Sequence, residues 1–154
     1  MVSVLRESMK PMQPPERQPI GFWTRRASEA VGARIRGALH DVGITQPESW
    51  LLHQLSLSPS GVDSTEVIEK LGHNDTPEAI VDAVDTATAK GWIQQIDSRL
   101  RFTDAGAEQF DRAAAVQRDL QTERMQGITE EDFVTTIRVL QRTIENVGGQ
   151  AWHW

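Results

Sequence analysis

The sequence predicts a mainly α-helical fold with one small β-hairpin, and three observations support this class. Three short helices, each with its own N-terminal cap, follow one another between Ile44 and Gly91. A stretch with the pattern of two short strands comes next, over residues 92–103. Longer amphipathic segments flank this unit at residues 20–43 and 104–147. Helix, tight turn, helix and hairpin in this order are the plan of a winged helix-turn-helix, which we place at residues 44–103.

The composition limits the class of protein. The chain has 154 residues, 38% of them hydrophobic and 25% charged, which suits one compact unit with additional helices. It has no cysteine, which excludes disulfides, thiolate catalysis and Cys-ligated zinc. The sequence shows no apolar run long enough to span a bilayer and no signal peptide. A cytoplasmic protein without a membrane partner is therefore expected.

The net charge of −6 is unevenly distributed along the chain. Residues 1–36 carry seven Arg or Lys and three Glu, a net of +4, and residues 37–154 carry a net of −10. A basic N-terminal segment on an acidic body is compatible with phosphate contacts by Arg17, Arg25 and Arg26. The alternative is that these arginines form the solvated face of a long first helix.

The first two elements are an arm and a long helix. Residues 1–19 contain four prolines and few apolar side chains, which predicts a flexible arm. The first helix is expected over residues 21–42, with Gly43 ending it. Its apolar stripe recurs every three or four positions, at Trp23, Ala27, Val31, Ile35, Ala38 and Val42.

Capping residues mark the starts of the second and third helices. Thr45 precedes the second helix, with Pro47 in the first turn and Glu48 three residues after the cap, which is a capping box. Asp63 and Glu66 repeat this spacing at the third helix. The predicted buried side chains of the two helices are Trp50, Leu51, Leu52, Leu55, Val67, Ile68 and Leu71.

The fourth helix begins after the cap Thr76 and ends at Gly91. Its predicted buried side consists of Ile80, Val81, Val84 and Ala87. From Asp75 to Lys90 the segment holds four acids and one base, a net of −3. A helix that enters a DNA groove normally presents neutral or basic groups, so this charge opposes DNA binding.

Period-two alternation predicts the hairpin. Leu100 and Phe102 should point inward, which leaves Arg99 and Arg101 outward on the second strand. The turn is expected near residues 97–98.

Two helices and a tail complete the chain. The fifth helix is expected from Thr103 or Asp104 to Arg124, with a thin apolar line at Phe110, Ala114, Gln117 and Leu120. Thr129 caps the last helix. That helix carries a seam with coiled-coil spacing at Phe133, Ile137, Leu140, Ile144 and Val147. The seam is predicted to pack on the first helix and on a second chain, the alternative being an intramolecular helix pair. Residues 148–154 are expected to be a flexible tail.

This layout resembles the MarR family of bacterial transcription regulators over about residues 20–147. The matching stretches are ITQPESWLLHQL, DSTEVIEKLG, VDAVDTATAKGWI, RLRFTDAGAEQF and ITEEDFVTTIRVLQRTI. The resemblance implies a homodimer in which the first and last helices interlock at residues 20–43 and 104–147. It also implies that the fourth helix meets a DNA major groove and the wing meets a minor groove. Small anionic or aromatic effectors are implied between the dimerisation and DNA-binding regions.

On this resemblance the DNA-binding residues are expected to be Thr76, Glu78, Ala79, Asp82, Arg99 and Arg101. Two departures from the family pattern count against routine DNA binding. Asp82 occupies a position that is usually arginine in the family, and the wing is shorter than usual. The predicted function is a ligand-responsive, DNA-binding regulator. The alternative is a MarR-like fold with weakened DNA affinity that binds a small molecule or another protein.

A ligand pocket is expected where the first and second helices cross. Its predicted lining is Trp23, Arg26, His40, Trp50 and His53, with Arg26 pairing with a ligand carboxylate. The alternative is that both tryptophans are core residues and the histidines are exposed. The histidines lack the close spacing of metal ligands, and no catalytic constellation stands out, so we expect no metal, no cofactor and no enzymatic activity.

Overall fold

The computed structural model describes residues 12–152 of the chain, and its mainly helical fold confirms the predicted class. The elements in chain order are α1 (Ile20–Asp41), α2 (Gln46–Ser56), β1 (Val62–Asp63), α3 (Ser64–Gly72), α4 (Pro77–Ala89), β2 (Ile93–Ile96), β3 (Arg99–Phe102), α5 (Asp104–Arg124) and α6 (Glu130–Asn146). Within the described residues, none of these helices combines the length and the apolar character that a membrane span requires.

Side-chain caps fix where α2, α3, α4 and α6 begin, as the sequence predicted. At α2 the Thr45 hydroxyl accepts from the Glu48 amide at 3.3 Å, and the Glu48 carboxylate accepts from the Thr45 amide at 3.0 Å. At α3 the Asp63 carboxylate accepts from two amides of the first turn, but the Glu66 side chain does not return a bond, so the predicted box is only half formed. Thr76 and Thr129 cap α4 and α6 with single hydrogen bonds of 3.1 Å. Each cap satisfies backbone donors that the first helical turn leaves free.

The sheet has three strands in the order β1-β3-β2, one strand more than the predicted hairpin. β2 and β3 pair antiparallel and are joined by Asp97 and Ser98, both with positive φ. β1 adds to the other edge of β3, with Val62 opposite Leu100. The sequence analysis missed β1 because two residues are too few to show a strand period, and Asp63 has a second role as the cap of α3.

The core of the winged unit lies between α2, α3, α4 and the sheet. Its fully buried members include Leu51, Leu52, Leu71, Ile80 and Leu100, each 0% exposed. Helix α4 contributes Ile80, Ala83, Val84 and Ala87. The prediction that Val81 is buried was wrong, because the side of α4 that packs on the core runs through Ala83 instead, and Val81 is 42% exposed.

Helix α5 starts against the first residues of the hairpin. A Cβ on Gly106 would lie 1.8 Å from the carbonyl oxygen of Trp92, so only glycine permits this approach. The buried face of α5 consists of Gly106, Gln109, Ala113 and Leu120. The predicted apolar line was therefore wrong by one position for part of its length. Its members Phe110, Ala114 and Gln117 are only half-buried.

Helix α1 contacts α5 near its C-terminal end. Leu39, near the end of α1, is 0% exposed and packs with Ile44 and Ala113. Arg34 of α1 donates to Glu123 of α5 at 3.0 Å. Nearly all residues in the N-terminal half of α1 are exposed, and so are nearly all residues of α6.

The arm and the tail lie partly outside the described residues, which omit 1–11 and 153–154. Residues Pro15–Arg17 form a single 3-10 turn. Gln18 follows it and accepts a hydrogen bond from the Trp23 indole at 2.5 Å. At the other end, Gln150 and Trp152 lie beside the C-terminal half of α3.

Candidate nucleic-acid interface and ligand pocket

One side of the N-terminal half of α4 faces away from the core. Of the four predicted DNA-binding residues on this helix and its cap, Thr76, Glu78 and Asp82 are exposed and Ala79 is half-buried. The Thr76 hydroxyl is already used to cap the helix through the Ala79 amide. The structure therefore places all four residues along one accessible edge of the helix-turn-helix.

This edge is acidic. Asp75, Glu78, Asp82 and Asp85 are exposed, and within residues 12–152 none of them lies in an ion pair. The one base of the segment, Lys90, does not offset them. Its ammonium group lies 2.8 Å from the Glu48 carboxylate, on the inner side of α4.

The two wing arginines are exposed, but they lean over the β1 edge of the sheet. The Arg99 guanidinium donates to the Gly61 carbonyl at 2.8 Å. A Cβ at Gly61 would lie 2.8 Å from Arg101 Cγ, so the stem of Arg101 covers the same glycine. Gly61 has a φ of +96°, which also favours glycine. Arg99 thus supports the wing, and the guanidinium of Arg101 has no such bond among the described residues.

A cavity of about 440 Å³ lies between α2 and α5. Its walls are largely apolar, with the Phe110 ring centroid 6.5 Å from that of His53 and 5.9 Å from that of Phe102. The full lining is Ser49, Trp50, His53, Phe110, Ala113, Ala114, Gln117 and Arg118. We call this cavity the α2–α5 pocket. An apolar cleft with a few polar groups is the usual composition of a small-molecule site.

Only two of the five predicted ligand-binding residues, Trp50 and His53, line this pocket. Grouping Trp23, Arg26 and His40 with them was wrong, since α1 is 22 residues long and its ends lie about 30 Å apart. Trp23 borders a groove between α1 and α6. The Arg26 guanidinium lies 5.0 Å from the Phe22 ring centroid, and His40 is exposed near the end of α1.

Sequence reasoning missed the half of the pocket that α5 supplies. Phe110, Ala114 and Gln117 were assigned to a packing face, and Arg118 was not considered. The available signal was Gln117, a polar residue at a helical spacing of seven from Phe110 on an otherwise apolar line. Arg118 has no ion-pair partner within residues 12–152, so it is the cation available to a bound anion.

The seam of α6 lies at the surface. Phe133, Ile137 and Ile144 are 38–41% exposed and Val147 is 80% exposed, while Leu140 is half-buried. Leu140 borders a groove of about 620 Å³ whose opposite wall is α1, at Ile20, Trp23 and Val31. The described chain buries no residue of α6.

A helix-turn-helix, α3 and α4, packed beside a three-stranded wing defines the chain as a winged helix-turn-helix protein. Neither protein-family models nor curated proteins give a match. Solved structures do, among them a MarR family transcriptional regulator from Silicibacter pomeroyi, at 19% identity and a TM-score of 0.70, covering 82% of this chain and 93% of that one.

Two further matches are structures of a MarR family protein of Mycobacterium tuberculosis, both 25% identical to this chain. The complex with DNA has a TM-score of 0.64 and covers 86% of this chain and 99% of that one. The complex with salicylic acid has a TM-score of 0.59, with 84% and 98% covered. The resemblance drawn from the sequence is confirmed: the chain has the fold of MarR family transcription regulators.

Proposed function

We propose that this protein is a homodimeric transcription regulator whose binding to duplex DNA is modulated by a small aromatic anion. The observation that carries the proposal is the position of the α2–α5 pocket. It lies between α2, which packs directly under α4, and α5, which leads to the terminal helices. A ligand that fills it would change how the DNA-reading unit is held by those helices.

The DNA surface would consist of the exposed edge of α4 and the wing. Thr76, Glu78, Ala79 and Asp82 would face the bases, and Arg101 would contact the minor groove or its phosphates. Because Arg99 is bonded to Gly61, we assign it a supporting role in the wing. The Mycobacterium tuberculosis neighbour, solved in complex with DNA, supports this use of the fold.

The second copy would cover α6 and the N-terminal half of α1. Phe133, Ile137, Ile144 and Val147 form an apolar stripe that nothing in the described chain buries, and Leu140 continues it toward α1. Apolar stripes with coiled-coil spacing are normally buried against another helix. The dimer would also place two α4 helices for successive major grooves, about 34 Å apart.

The ligand class follows from the pocket lining. Trp50, His53 and Phe110 provide flat walls for an aromatic ring, and Arg118 provides a charge-assisted donor for a carboxylate. A volume of about 440 Å³ accommodates a small ring system. Salicylic acid, bound by the Mycobacterium tuberculosis neighbour, belongs to this class and is a suitable probe.

A mobility-shift assay with the DNA upstream of the protein's own gene, at low salt, tests DNA binding. We expect a complex whose affinity falls with salt, and Arg101→Ala should weaken it and reduce the salt slope by about one. Arg142→Ala on α6, where the side chain is 76% exposed, removes the same charge far from the wing and should have no such effect. The absence of a complex with the unaltered protein would refute the proposal.

Titration with salicylate, followed by tryptophan fluorescence, tests the pocket. Because the chain has five tryptophans, the signal is assigned to Trp50 by comparison with Trp50→Phe. We expect Arg118→Ala to weaken binding about tenfold or more, since it removes a charge-assisted hydrogen bond. Arg112→Ala, on the same helix but outside the pocket, is the matched control. Equal losses in the two variants would contradict the assignment of Arg118.

The acidic edge of α4 favours a second candidate, a binding module that has lost strong DNA affinity. Four exposed carboxylates without an ion-pair partner in the described chain would repel phosphates. The two candidates differ in one result. A module of this kind would still bind salicylate and dimerise, but it would give no complex with duplex DNA at low salt.

A further inference from the structure

A buried carboxylate joins α2 to the C-terminal end of α4. The Glu48 side chain is 0% exposed, and its two oxygens receive hydrogen bonds from three residues. The donors are the Thr45 amide at 3.0 Å, the Thr86 hydroxyl at 2.7 Å and the Lys90 ammonium at 2.8 and 3.0 Å. A buried charge is tolerated only with such complete partners, so the arrangement fixes these groups relative to one another.

Lys90 continues this connection beyond α2. Its ammonium group lies 4.6 Å from the centre of the Trp92 ring and 3.4 Å from the Gly43 carbonyl. The side chain thus contacts the loop that follows α1 and the residue that packs on Gly106 of α5. One cation therefore joins the end of α4 to α2, to the loop after α1 and to Trp92.

The same turn of α2 forms a wall of the α2–α5 pocket. Ser49 and Trp50 line the pocket, and Glu48 immediately precedes them in the first turn of the helix. A helix turn moves as a unit, because packed interiors do not deform continuously. A displacement of Ser49 and Trp50 by a ligand therefore displaces the Glu48 carboxylate, and Lys90 and Thr86 must follow or release it.

We infer that the Glu48–Lys90 ion pair transmits a displacement of the α2 wall of the α2–α5 pocket to the C-terminal end of α4. Glu48 and Lys90 are positioning residues in this arrangement, since neither lines the pocket and the Lys90 ammonium is paired with the buried Glu48 carboxylate. A regulatory role for this ion pair rests on the proposed function, whereas the coupling between α2 and α4 can be measured without DNA. It also explains why the only base of the 75–90 segment lies away from the DNA-facing edge.

The test uses the full chain and a charge-neutral double variant, Glu48→Gln with Lys90→Met. Replacing both members avoids leaving a buried charge unpaired, so the fold is expected to survive. The glutamine oxygen can still accept from the Thr45 amide, which retains the helix cap. Lys90→Arg is the conservative variant and should behave as the unaltered protein does.

The pocket is perturbed in two ways, by adding salicylate and by the pocket-filling substitution Ala114→Phe. If the phenylalanine variant does not fold, Ala114→Met replaces it. Amide and indole NMR signals are recorded for each. In the unaltered protein we expect the Trp50 indole and the amides of Thr86 and Ala87 all to shift. In the double variant the Trp50 shift should remain, and the Thr86 and Ala87 shifts should be lost.

Two outcomes would overturn the inference. One is an equal response of the Thr86 and Ala87 amides in the double variant. The other is no response of these amides in the unaltered protein while Trp50 shifts. If salicylate does not bind, the pocket-filling variant still decides between these outcomes. Failure of the proposed function is recognised separately, by the absence of a complex with duplex DNA.

Discussion

Helices α4 and α6 are both amphipathic, but among residues 12–152 only α4 has a partner that buries its apolar face. The 13 residues of α4 bury Ile80, Ala83, Val84 and Ala87, and the 17 residues of α6 bury none. The exposed apolar residue of α4, Val81, is isolated at 42% exposure, whereas α6 exposes a row of such residues at about the same level. The core of the winged unit is therefore formed within the described chain, whereas the apolar row of α6 stays exposed there.

The largest expected effect concerns the core of the winged unit. Ile80→Ala should lower the free energy of unfolding by about 2–5 kcal/mol, because it leaves a cavity at a fully buried site. The adjacent Val81→Ala should change it by less than about 0.5 kcal/mol. Urea unfolding at one protein concentration measures both. Similar losses at the two positions would show that α4 does not pack as described.

The next effect concerns the α6 stripe. Ile137→Glu places a charge at the centre of the proposed contact and should raise the dimer dissociation constant about a hundredfold. Sedimentation should then show a 17.2 kDa particle where the unaltered protein shows twice that mass. Val81→Glu, at nearly the same exposure, is the control and should leave the dimer intact. A monomeric unaltered protein would remove the basis of the proposed dimer.

A smaller effect is expected from charge reversal on the two helices. Asp82→Arg should tighten non-specific binding to duplex DNA about tenfold at low salt and steepen its salt dependence, since it replaces a repelled charge by a phosphate contact. Glu131→Arg makes the same change on the exposed first turn of α6 and should have little effect. Equal gains for both variants would mean that net charge alone, rather than the α4 edge, determines DNA affinity.

The smallest effect is expected at the tip of the wing. Ser98 has a φ of +66°, a conformation that glycine adopts without steric cost. Ser98→Gly should raise the free energy of unfolding by about 0.5–1 kcal/mol without changing the particle mass. Ser98→Ala keeps the Cβ and should give no gain. Thermal unfolding of the two variants at equal concentration separates these results.

Local sequence signals located the helices and the hairpin, and they did so through short-range chemistry. Thr45 and Glu48 form the expected capping box, and Thr76 and Thr129 cap α4 and α6 at the predicted positions. These interactions span three residues, so the sequence displays them directly. The order of the elements, with the resemblance it supports, was sufficient for the fold class.

The candidate pocket was only partly predictable. Trp50 and His53 were identified from their types, but Phe110 and Arg118 come from a helix that begins more than fifty residues later. Periodicity defines the faces of α5 without showing which face meets α2. Arg26 was named as the partner of a ligand carboxylate and Arg118 was not considered, because the sequence does not show which long helix faces the pocket.

By itself, the sequence determined the caps, the helix periods, the hairpin and the acidic character of α4, because each depends on residues a few positions apart. Only the tertiary structure decided that β1 extends the wing, that Arg99 binds Gly61, and that Lys90 turns inward to Glu48. Glu48 and Lys90 are separated by 42 positions in the chain and by 2.8 Å in space. Contacts of this kind depend on how helices pack, and packing is set by the shape of the whole core.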